Sequence, residues 1–407
     1  MEVLHQRSAG LDVHKDLVVA CVRLVEADRV RRESKRFGTT TRELLRLLEW
    51  LQSYGATHVG MESTGVYWKP VWHVLEGHFT LVLGNAQRMR NVPGRKSDQN
   101  DASWIADLVA HGLIRSSLVP EAPMQELREL TRTRKQLVRE RAQHVQRIQK
   151  VLEDANVKLS SVLSDILGLS GRAILEAIVA GMSDPQRLAA LAHPSVKAPR
   201  SEIAEALEGR VGEHHRFMLQ LHLDQIDALE AAVGRVEGRI EKALSPFRAE
   251  IERLCTIPGF STTVAAAFLA ETGGKMEAFA TGGHLAAWVG LSPQQNETGG
   301  KRKNTRTRPQ RWLKPMMVQA AHAAVKKKDS HLRTKYYRIR ARRGSKKAIL
   351  AVAATLARIA YHLLTNQTEY QDLGSDYFDR RDRERATRRL IQRLERMGYK
   401  VEVQAAA

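Results

Sequence analysis

The stretch AGLDVHKDLVVACVRLV, residues 9–25, decides the fold of the N-terminal part of the chain. Its two apolar runs, AGLDV and LVVACVRLV, are rich in residues that favour strands, and the polar HKD between them predicts a tight connection. Asp12 departs from this pattern because it lies inside the first apolar run, between Leu11 and Val13. A carboxylate within a buried strand is costly unless it has a partner, so Asp12 is a candidate functional residue.

The sequence around this pair of strands alternates between strand-like and helix-like patterns. A third, more exposed strand is predicted at RRESKRF (31–37), followed by a helix at TTTRELLRLLEWLQSYG (39–55). The remaining predicted elements are, in order, a strand at THVGME (57–62), a helix at YWKPVWHVLEG (67–77), a strand at FTLVLG (79–84) and a helix at SDQNDASWIADLVAHG (97–112). This order predicts an α/β domain built about one sheet.

The chain is predicted to be almost entirely helical from about Met124 onward. One long helix carries an apolar residue at every seventh position, which predicts a coiled-coil seam, although a helix of an ordinary bundle is an alternative. The seam residues are Leu219, Ile226, Val233 and Ile240, with Leu229 and Val236 between them. The predicted parts are an α/β domain at 1–118, a helical coiled-coil region with a small helical insert at 119–248, a mostly α-helical domain with a basic loop at 249–370, and a charged helix and tail at 371–407.

The charge of the chain is strongly uneven. It has 65 basic and 45 acidic residues, a net charge of +20. The window Thr298–Lys347 holds 18 of the basic residues and a single acidic one, Asp329, whereas residues 1–120 hold 16 basic and 13 acidic residues. A concentrated positive charge indicates a polyanionic partner, most simply nucleic acid.

The remaining composition indicates a protein of the reducing cytoplasm. Cys21 and Cys255 lie far apart in apolar surroundings, which predicts buried thiols, and they have no metal-ligand spacing. The N-terminus MEVLHQRSAGLD has no apolar signal core. The longest apolar run, AILAVAATLARIAYHLL from Ala348, contains Arg358 and is short for a bilayer, so it predicts a buried helix and no membrane partner.

Four carboxylates of the α/β domain are candidate metal ligands: Asp12, Glu62, Asp98 and Asp101. Glu62 ends a predicted strand, and Asp98 and Asp101 are three apart at the start of a predicted helix, which places both on one face. Phosphodiester chemistry with two divalent cations, roughly 3.5–4 Å apart, needs such converging carboxylates. Helix capping is the alternative for Asp98 and Asp101, and an ordinary strand end is the alternative for Glu62. Taken jointly with Asp12, the four favour a Mg²⁺ site.

The motifs GLDVHKD, MESTGVYW and GRKSDQNDA, in that order and spacing, resemble the RuvC-like domain of the DEDD insertion-sequence transposases. That domain has the RNase H fold, and the family is akin to the Piv-type invertases and includes the bridge-RNA-guided recombinases. SGRAILEAIVAG, TIPGFSTTVAAAFLAETGG, LAAWVGLSP and NETGGKRK resemble the family's second, transposase domain. The resemblance fails only in about the last thirty residues. It implies that Asp12, Glu62, Asp98 and Asp101 are the catalytic carboxylates, with two Mg²⁺ per site.

The resemblance also implies a hydroxyl nucleophile that joins covalently to DNA. The family uses a serine, whereas the corresponding segment here is Asn296–Gly300, with Thr298 in the serine's place. The β-methyl group of threonine crowds the attack and restricts χ1. Three interpretations are open: Thr298 is the nucleophile, it is a weakened nucleophile, or another hydroxyl such as Ser292 replaces it. Residues predicted to hold phosphate near it are Gly299, Gly300, Lys301, Arg302, Lys303, Arg306, Arg308 and Arg311.

Two further stretches are candidate nucleic-acid contacts. The turn Ile257–Phe260 resembles a helix-hairpin-helix, in which Gly259 would lie against a DNA phosphate; a simple turn between helices is the alternative. Tyr67 and Trp68 follow Gly65 and could stack on nucleic acid, but packing against the sheet is favoured.

The sequence therefore predicts a DNA transposase or recombinase that carries out metal-dependent strand exchange of an insertion sequence. The resemblance implies double-stranded DNA partners (element ends and target), a structured bridge RNA encoded by the element, and a dimer or tetramer assembled through the coiled coil. It also implies a bacterial or archaeal cytoplasmic protein associated with the nucleoid. The alternatives are a RuvC-like structure-specific nuclease with a water nucleophile, and a nucleic-acid-binding remnant of an element without catalysis.

Overall fold

The structure is a computed structural model that describes residues 2–26, 29–86, 89, 92, 101–293, 297–298, 301–302 and 311–402. The chain divides into two compact units, Met1–Pro120 and Glu121–Ala407. The boundaries predicted at 118, 248 and 370 stay predictions.

The first unit is a five-stranded mixed sheet with helices on both faces, which confirms the predicted α/β domain. Its strands are β1 (Arg7–Val13), β2 (Leu17–Glu26), β3 (Arg29–Gly38), β4 (His58–Glu62) and β5 (Thr80–Gly84), and its helices are α1 (Thr41–Ser53), α2 (Trp68–Leu75) and α3 (Asp101–Ala110). The strand order is β3-β2-β1-β4-β5. β1, β2 and β3 pair antiparallel, whereas β4 and β5 run parallel to β1. The central strand is therefore the one that carries Asp12.

The two faces of the sheet are covered differently. Alternate residues of β1, such as Leu11, pack on one face into a core with α1 residues such as Leu47. The other face carries Ser8 and Gly10, against which α3 packs. Asp12 follows Gly10 by two positions, so its side chain emerges on the face that α3 covers.

The second unit is helical apart from one two-residue hairpin, β6 (Glu297–Thr298) with β7 (Lys301–Arg302), among the residues that the structure describes. Its helices are α4 (Ala122–Asp154), α5 (Leu159–Val162), α6 (Leu169–Val179), α7 (Pro185–Ala190), α8 (Arg200–Ala206), α9 (Glu213–Leu244), α10 (Arg248–Cys255), α11 (Thr262–Thr272), α12 (Gly282–Trp288), α13 (Leu313–Ala324), α14 (His331–Arg343), α15 (Ser345–Asn366), α16 (Tyr377–Arg381) and α17 (Arg383–Arg396). The prediction of a mostly helical second part is confirmed.

The long helix α9 packs antiparallel against α4 of the same chain. Ion pairs of 2.6 Å join Arg134 to Glu237 and Arg141 to Glu230, so positions later in α4 meet positions earlier in α9. Of the predicted seam residues, Leu219, Ile226 and Ile240 are buried, whereas Val233, Leu229 and Val236 are half-buried. The seam therefore has a partner within the chain, and its use as a coiled coil between copies stays a prediction.

One helix among the described residues, α15, is long and apolar enough to cross a membrane by length and composition. Its buried residues recur at helical spacing, as in Ala348, Val352, Leu356 and Ala360. This one-sided burial is typical of a core helix.

Candidate active site

Asp12 and Glu62 lie side by side at the ends of two neighbouring parallel strands. The registered pairs between β1 and β4 run from Ser8 with His58 to Leu11 with Met61, so Asp12 and Glu62 are the next residues of their strands. Glu62 follows Gly60, whose missing side chain also leaves room for α3, so both carboxylates emerge on the α3 face.

Each of these carboxylates already has a hydrogen-bond partner. An oxygen of Asp12, whose side chain is 24% exposed, lies 3.0 Å from His14 Nε2. Thr64 Oγ1 donates to Glu62 Oε1 at 2.5 Å. The sequence motif HKD gave no indication that His14 would face Asp12; the two meet because β1 ends in a hairpin to β2 just beyond them.

The start of α3 approaches the same end of β1. Leu4 and His5 donate to Ala110 O, Ser8 Oγ donates to Ala106 O at 3.2 Å, and a Cβ atom on Gly10 would lie 2.1 Å from Ala102 O. Later positions on the strand thus meet earlier positions on the helix. Asp12, two residues beyond Gly10, is accordingly directed toward Asp101, the exposed first residue of α3.

The fourth predicted ligand, Asp98, lies outside the described residues. Within the described ranges, no group of three or more His, Cys, Asp or Glu side chains is close enough together to hold a metal ion. The structure thus places Asp12, Glu62 and Asp101 at one edge and one face of the sheet. The three carboxylates do not lie close enough together in this structure to bind one metal ion jointly.

An ion pair that sequence reasoning missed fixes α3 on the sheet. Arg23, in the middle of β2 and only 4% exposed, donates from Nε to Asp107 Oδ1 at 2.9 Å, and Arg32 on β3 donates to the same oxygen at 2.9 Å. The signal was present in the sequence, since an arginine inside LVVACVRLV needs a buried acceptor as much as Asp12 needs a partner. Asp107 thereby holds the helix that carries Asp101.

The candidate nucleophile lies in the second unit, on the β6–β7 hairpin. Thr298 pairs with Lys301, and Glu297 pairs with Arg302. Gly299, Gly300, Lys303, Arg306 and Arg308 lie outside the described residues. Arg311 is exposed, and Ser292, the alternative hydroxyl, is half-buried.

The first described residues after this hairpin, Arg311 and Trp312, are bound to α4. Lys135 Nζ donates to Arg311 O at 2.5 Å and to Trp312 O at 3.0 Å. The Arg132 guanidinium lies 5.0 Å from the centre of the Trp312 ring, a cation–π distance. α4 therefore fixes one end of the basic segment that begins at Thr298.

A buried glutamate organises this anchor. Glu271, near the end of α11 and 3% exposed, accepts two hydrogen bonds of 2.7 Å from Arg132. Arg128 donates to the backbone oxygens of Ala270 and Glu271 at 3.0 and 2.7 Å. Desolvation lowers the pKa of Arg128 to about 10, and burial also lowers the pKa of Lys135. Arg128 remains protonated near neutral pH, so Glu271 faces at least one permanent cation besides Arg132.

Two predicted nucleic-acid contacts have packing roles in the structure. Gly259 has a φ of 85°, and a Cβ atom there would lie 2.1 Å from Ala320 O of α13, so close packing of two backbones explains this glycine. Its contact with DNA in a helix-hairpin-helix stays a prediction. Trp68 packs against the core and lies edge-on to Trp72 at 5.9 Å, whereas Tyr67 is exposed.

Comparison with protein families gives two matches: one covers most of the first unit and runs into the second, and the other lies within the second unit. Residues 9–157 match the DEDD_Tnp_IS110 model, described as "Transposase". Residues 251–337 match the model described as "Transposase IS116/IS110/IS902 family". The first match includes all four candidate carboxylates, and the second includes Thr298 and the basic window as far as Tyr337.

Individual relatives have similar descriptions. The "Probable family 20 transposase" of Pseudomonas aeruginosa is 27% identical over 321 residues, covering 77% of this chain and 85% of the relative. The "Insertion element IS900 uncharacterized 42 kDa protein" of Mycobacterium paratuberculosis is 26% identical, with 71% and 80% covered. The "Transposase for insertion sequence element IS1111A" of Coxiella burnetii is 24% identical, with 69% and 70% covered. The two family matches together span more than half of the chain, which therefore belongs to the IS116/IS110/IS902 family of transposases, DNA-binding enzymes of insertion sequences.

Proposed function

We propose that the chain cleaves and rejoins the DNA of an insertion sequence by metal-dependent transfer of a phosphodiester to a protein hydroxyl. The observation that carries the proposal is the placement of Asp12 and Glu62 on adjacent strand ends, on the face where α3 brings Asp101. Helix capping or an ordinary strand end would not explain why these carboxylates lie at the same edge and on the same face of the sheet.

The donor chemistry at this edge fits Mg²⁺. Asp12, Glu62 and Asp101 offer hard oxygen donors, and Asp12 is accessible to solvent. These three residues with Asp98 would hold the ions, which would neutralise charge that develops on the phosphate during transfer. His14 and Thr64 hold the Asp12 and Glu62 carboxylates in place beforehand.

The sheet supports a RuvC-like, RNase H-type fold for the first unit. Its first three strands form an antiparallel meander, and β4 and β5 add in parallel on the other side of β1. This topology brings the carboxyl end of the central strand beside that of β4, and ligands bind at the carboxyl ends of strands in open α/β sheets.

The proposed nucleophile is Thr298. Its Oγ1 would form a bond to a DNA phosphorus while one bridging oxygen of that phosphate leaves; the hydroxyl gives up its proton and the departing oxygen takes one up, so charge is balanced. Reversal of the same step, with a different strand end, rejoins DNA. The anchor at Lys135 and Trp312 supports the proposal, since it holds one end of the Thr298 segment to the longest helix of the unit.

The partners proposed beyond DNA are an element-encoded bridge RNA and further copies of the chain. Support for the RNA is the basic window from Thr298 to Lys347, with 18 basic residues and one acidic residue, since its charge suits an RNA backbone as well as a DNA backbone. Support for assembly as a dimer or tetramer is the half-buried stretch of α9 around Val233, which leaves apolar surface of the seam accessible.

A trapped protein–DNA adduct tests the proposed nucleophile. The substrate is an element-end duplex whose cleaved strand releases a short oligonucleotide, supplied with the guide RNA and Mg²⁺. The wild-type chain is expected to form the adduct, and Thr298→Ala to reduce it by roughly 1,000-fold or more, as loss of a nucleophile does in other covalent enzymes. Thr298→Ser should retain it, because the hydroxyl remains and the crowding methyl group is removed.

Two further variants separate the carboxylates from the hydroxyl. Asp12→Asn should abolish the adduct while leaving folding intact, because the amide keeps the shape of the side chain but not its charge. Ser292→Ala should leave the adduct unchanged. Cleavage without any adduct would establish the water-nucleophile nuclease in place of this proposal, and an undiminished adduct from Thr298→Ala would assign the attack to another hydroxyl.

A further inference from the structure

The helix α14 (His331–Arg343) presents an unusually basic surface. Its sequence HLRTKYYRIRARR contains six arginines and lysines and no acidic residue. His331 and Leu332 are buried, so one side of the helix belongs to the core, whereas Tyr337 and Arg340 are exposed. A helix that concentrates positive charge on its outer side attracts polyanions such as nucleic acid.

This helix forms one wall of an open cleft of about 390 Å³. Residues that line the cleft include Lys328, Arg333, Thr334, Tyr337, Arg338 and Ser375. Three of these are cations and three carry hydroxyl groups, so nearly every lining side chain offers a hydrogen-bond donor. The acid among the lining residues is Asp329.

The opposite wall is held in place by a hydrogen-bonded turn. Asp372 Oδ1 accepts from His331 N at 2.9 Å and from Gly374 N at 3.0 Å, which ties the chain before Ser375 to the start of α14. Further along, the Arg338 guanidinium lies 4.7 Å from the Phe378 ring centre. The cleft is therefore built by two segments distant in sequence.

The ring of Tyr337 orients Arg333 of the cleft and the neighbouring Arg340, which is not part of the lining. The guanidinium groups of Arg333 and Arg340 lie 5.7 and 5.8 Å from the ring centre of Tyr337, which is 48% exposed. Cation–π contact limits the side-chain freedom of both arginines, so less entropy is lost when they bind a phosphate. Because two guanidiniums engage the ring, it is poorly placed to stack on a nucleobase.

We propose that this cleft on α14 binds the sugar–phosphate backbone of duplex DNA, through Lys328 and Arg333 beside the ring of Tyr337. The contact is expected to be independent of base sequence, because phosphate contacts carry no sequence information and two guanidiniums already engage the Tyr337 ring. It is a site additional to the carboxylate edge and to the Thr298 segment, and it requires neither the metal nor the nucleophile.

The test measures affinity of the full-length protein for a fluorescent DNA duplex, in EDTA, across a series of salt concentrations. Each lost phosphate contact reduces the slope of log K against log salt concentration by about 0.9. Arg333→Ala is expected to weaken binding about 10-fold at moderate salt and to lower the slope by about 0.9. Lys328→Gln, an exposed substitution that does not threaten folding, should lower the slope by a similar amount.

Arg239→Ala is the matched control, since it removes one exposed positive charge from α9 of the same unit. Its slope should stay within about 0.3 of the wild-type value if binding depends on the cleft and not on total charge. Equal losses from Arg333→Ala and Arg239→Ala would overturn the proposal, as would unchanged slopes for both cleft variants. The same series with an RNA duplex completes the test, because a loss confined to RNA would replace DNA as the partner.

Discussion

A single missing side chain allows the helix with Asp101 to reach the sheet. At Gly10, a Cβ atom would meet Ala102 O at 2.1 Å and Ala106 N at 2.4 Å, both of them backbone atoms of α3. Backbone cannot move aside as a flexible side chain can, so any larger residue pushes the helix outward. The glycine two positions before Asp12 thus sets the distance between the strand and the helix start.

Gly10→Ala is expected to destabilise the first unit by about 3 kcal/mol, at the upper end of the range for overpacking. Gly38→Ala is the control in the same sheet, since a Cβ there meets only the Glu43 side chain, at 3.2 Å. That substitution should change stability by less than about 1 kcal/mol. Urea unfolding followed by hydrogen-exchange mass spectrometry reports on each unit; equal stabilities of the two variants would show that α3 does not pack on β1 as described.

The sequence identified Asp12 because a carboxylate in an apolar strand has few structural explanations. It could not decide between capping and metal binding for Asp98 and Asp101, because a helix start and a ligand pair share the same local pattern. Glu62 required knowledge of strand order, since only its position next to β1 relates it to Asp12. The contact of His14 with Asp12 is not encoded in a local pattern, whereas Arg23 was visible as a cation inside an apolar strand but its acceptor on α3 was not.

Among the helices, the heptad in α9 was visible in the sequence but its partner was not. Leu219, Ile226 and Ile240 are buried as the spacing predicts, and the pairing helix is α4, whose apolar residues are scattered among charges. A heptad specifies that a face is buried but not whether the covering helix comes from the same chain. The ion pairs from Arg134 and Arg141 supply the register that the apolar pattern of α4 lacks.

One buried carboxylate, Glu271, joins α4 to α11. Glu271→Gln leaves Arg128 and Arg132 without their counter-charge, so the second unit is expected to lose about 3 kcal/mol, the lower end of the range for a broken buried pair. The lower end applies because the Arg132 side chain is 35% exposed and partly solvated. Urea unfolding followed by hydrogen-exchange mass spectrometry, analysed for peptides of the second unit, gives the change in its free energy of unfolding.

The control is a second ion pair that involves the beginning of α4. Glu121 binds Lys275 with side chains 71% and 67% exposed, and Glu121→Gln should cost less than about 1 kcal/mol. If Glu271→Gln costs no more than Glu121→Gln, the buried cluster is not what holds α4 to α11. The anchor proposed for the Thr298 segment would then lose its support.

On the scale of the whole chain, charge and carboxylate chemistry are separated between the two units. Residues 1–120 hold 16 basic and 13 acidic residues, and the excess lies in the second unit, almost wholly between Thr298 and Lys347. In a nearly neutral unit, few lysine and arginine side chains compete with a metal ion for the carboxylates. The strongly basic unit can attract DNA of any base sequence from a distance.

Separating the units should therefore separate DNA binding from the carboxylate edge. A protease site inserted between Pro120 and Glu121 lets the folded protein be cut into fragments that correspond to the two compact units. The second fragment is expected to keep the salt dependence of DNA affinity within about one contact of the intact protein, because counterion release follows the basic residues. The first fragment should bind the duplex far more weakly and with little salt dependence. Measured by the same fluorescence titration, a first fragment with the slope of the intact protein would show that its 16 basic residues, and not the window after Thr298, provide the DNA contact.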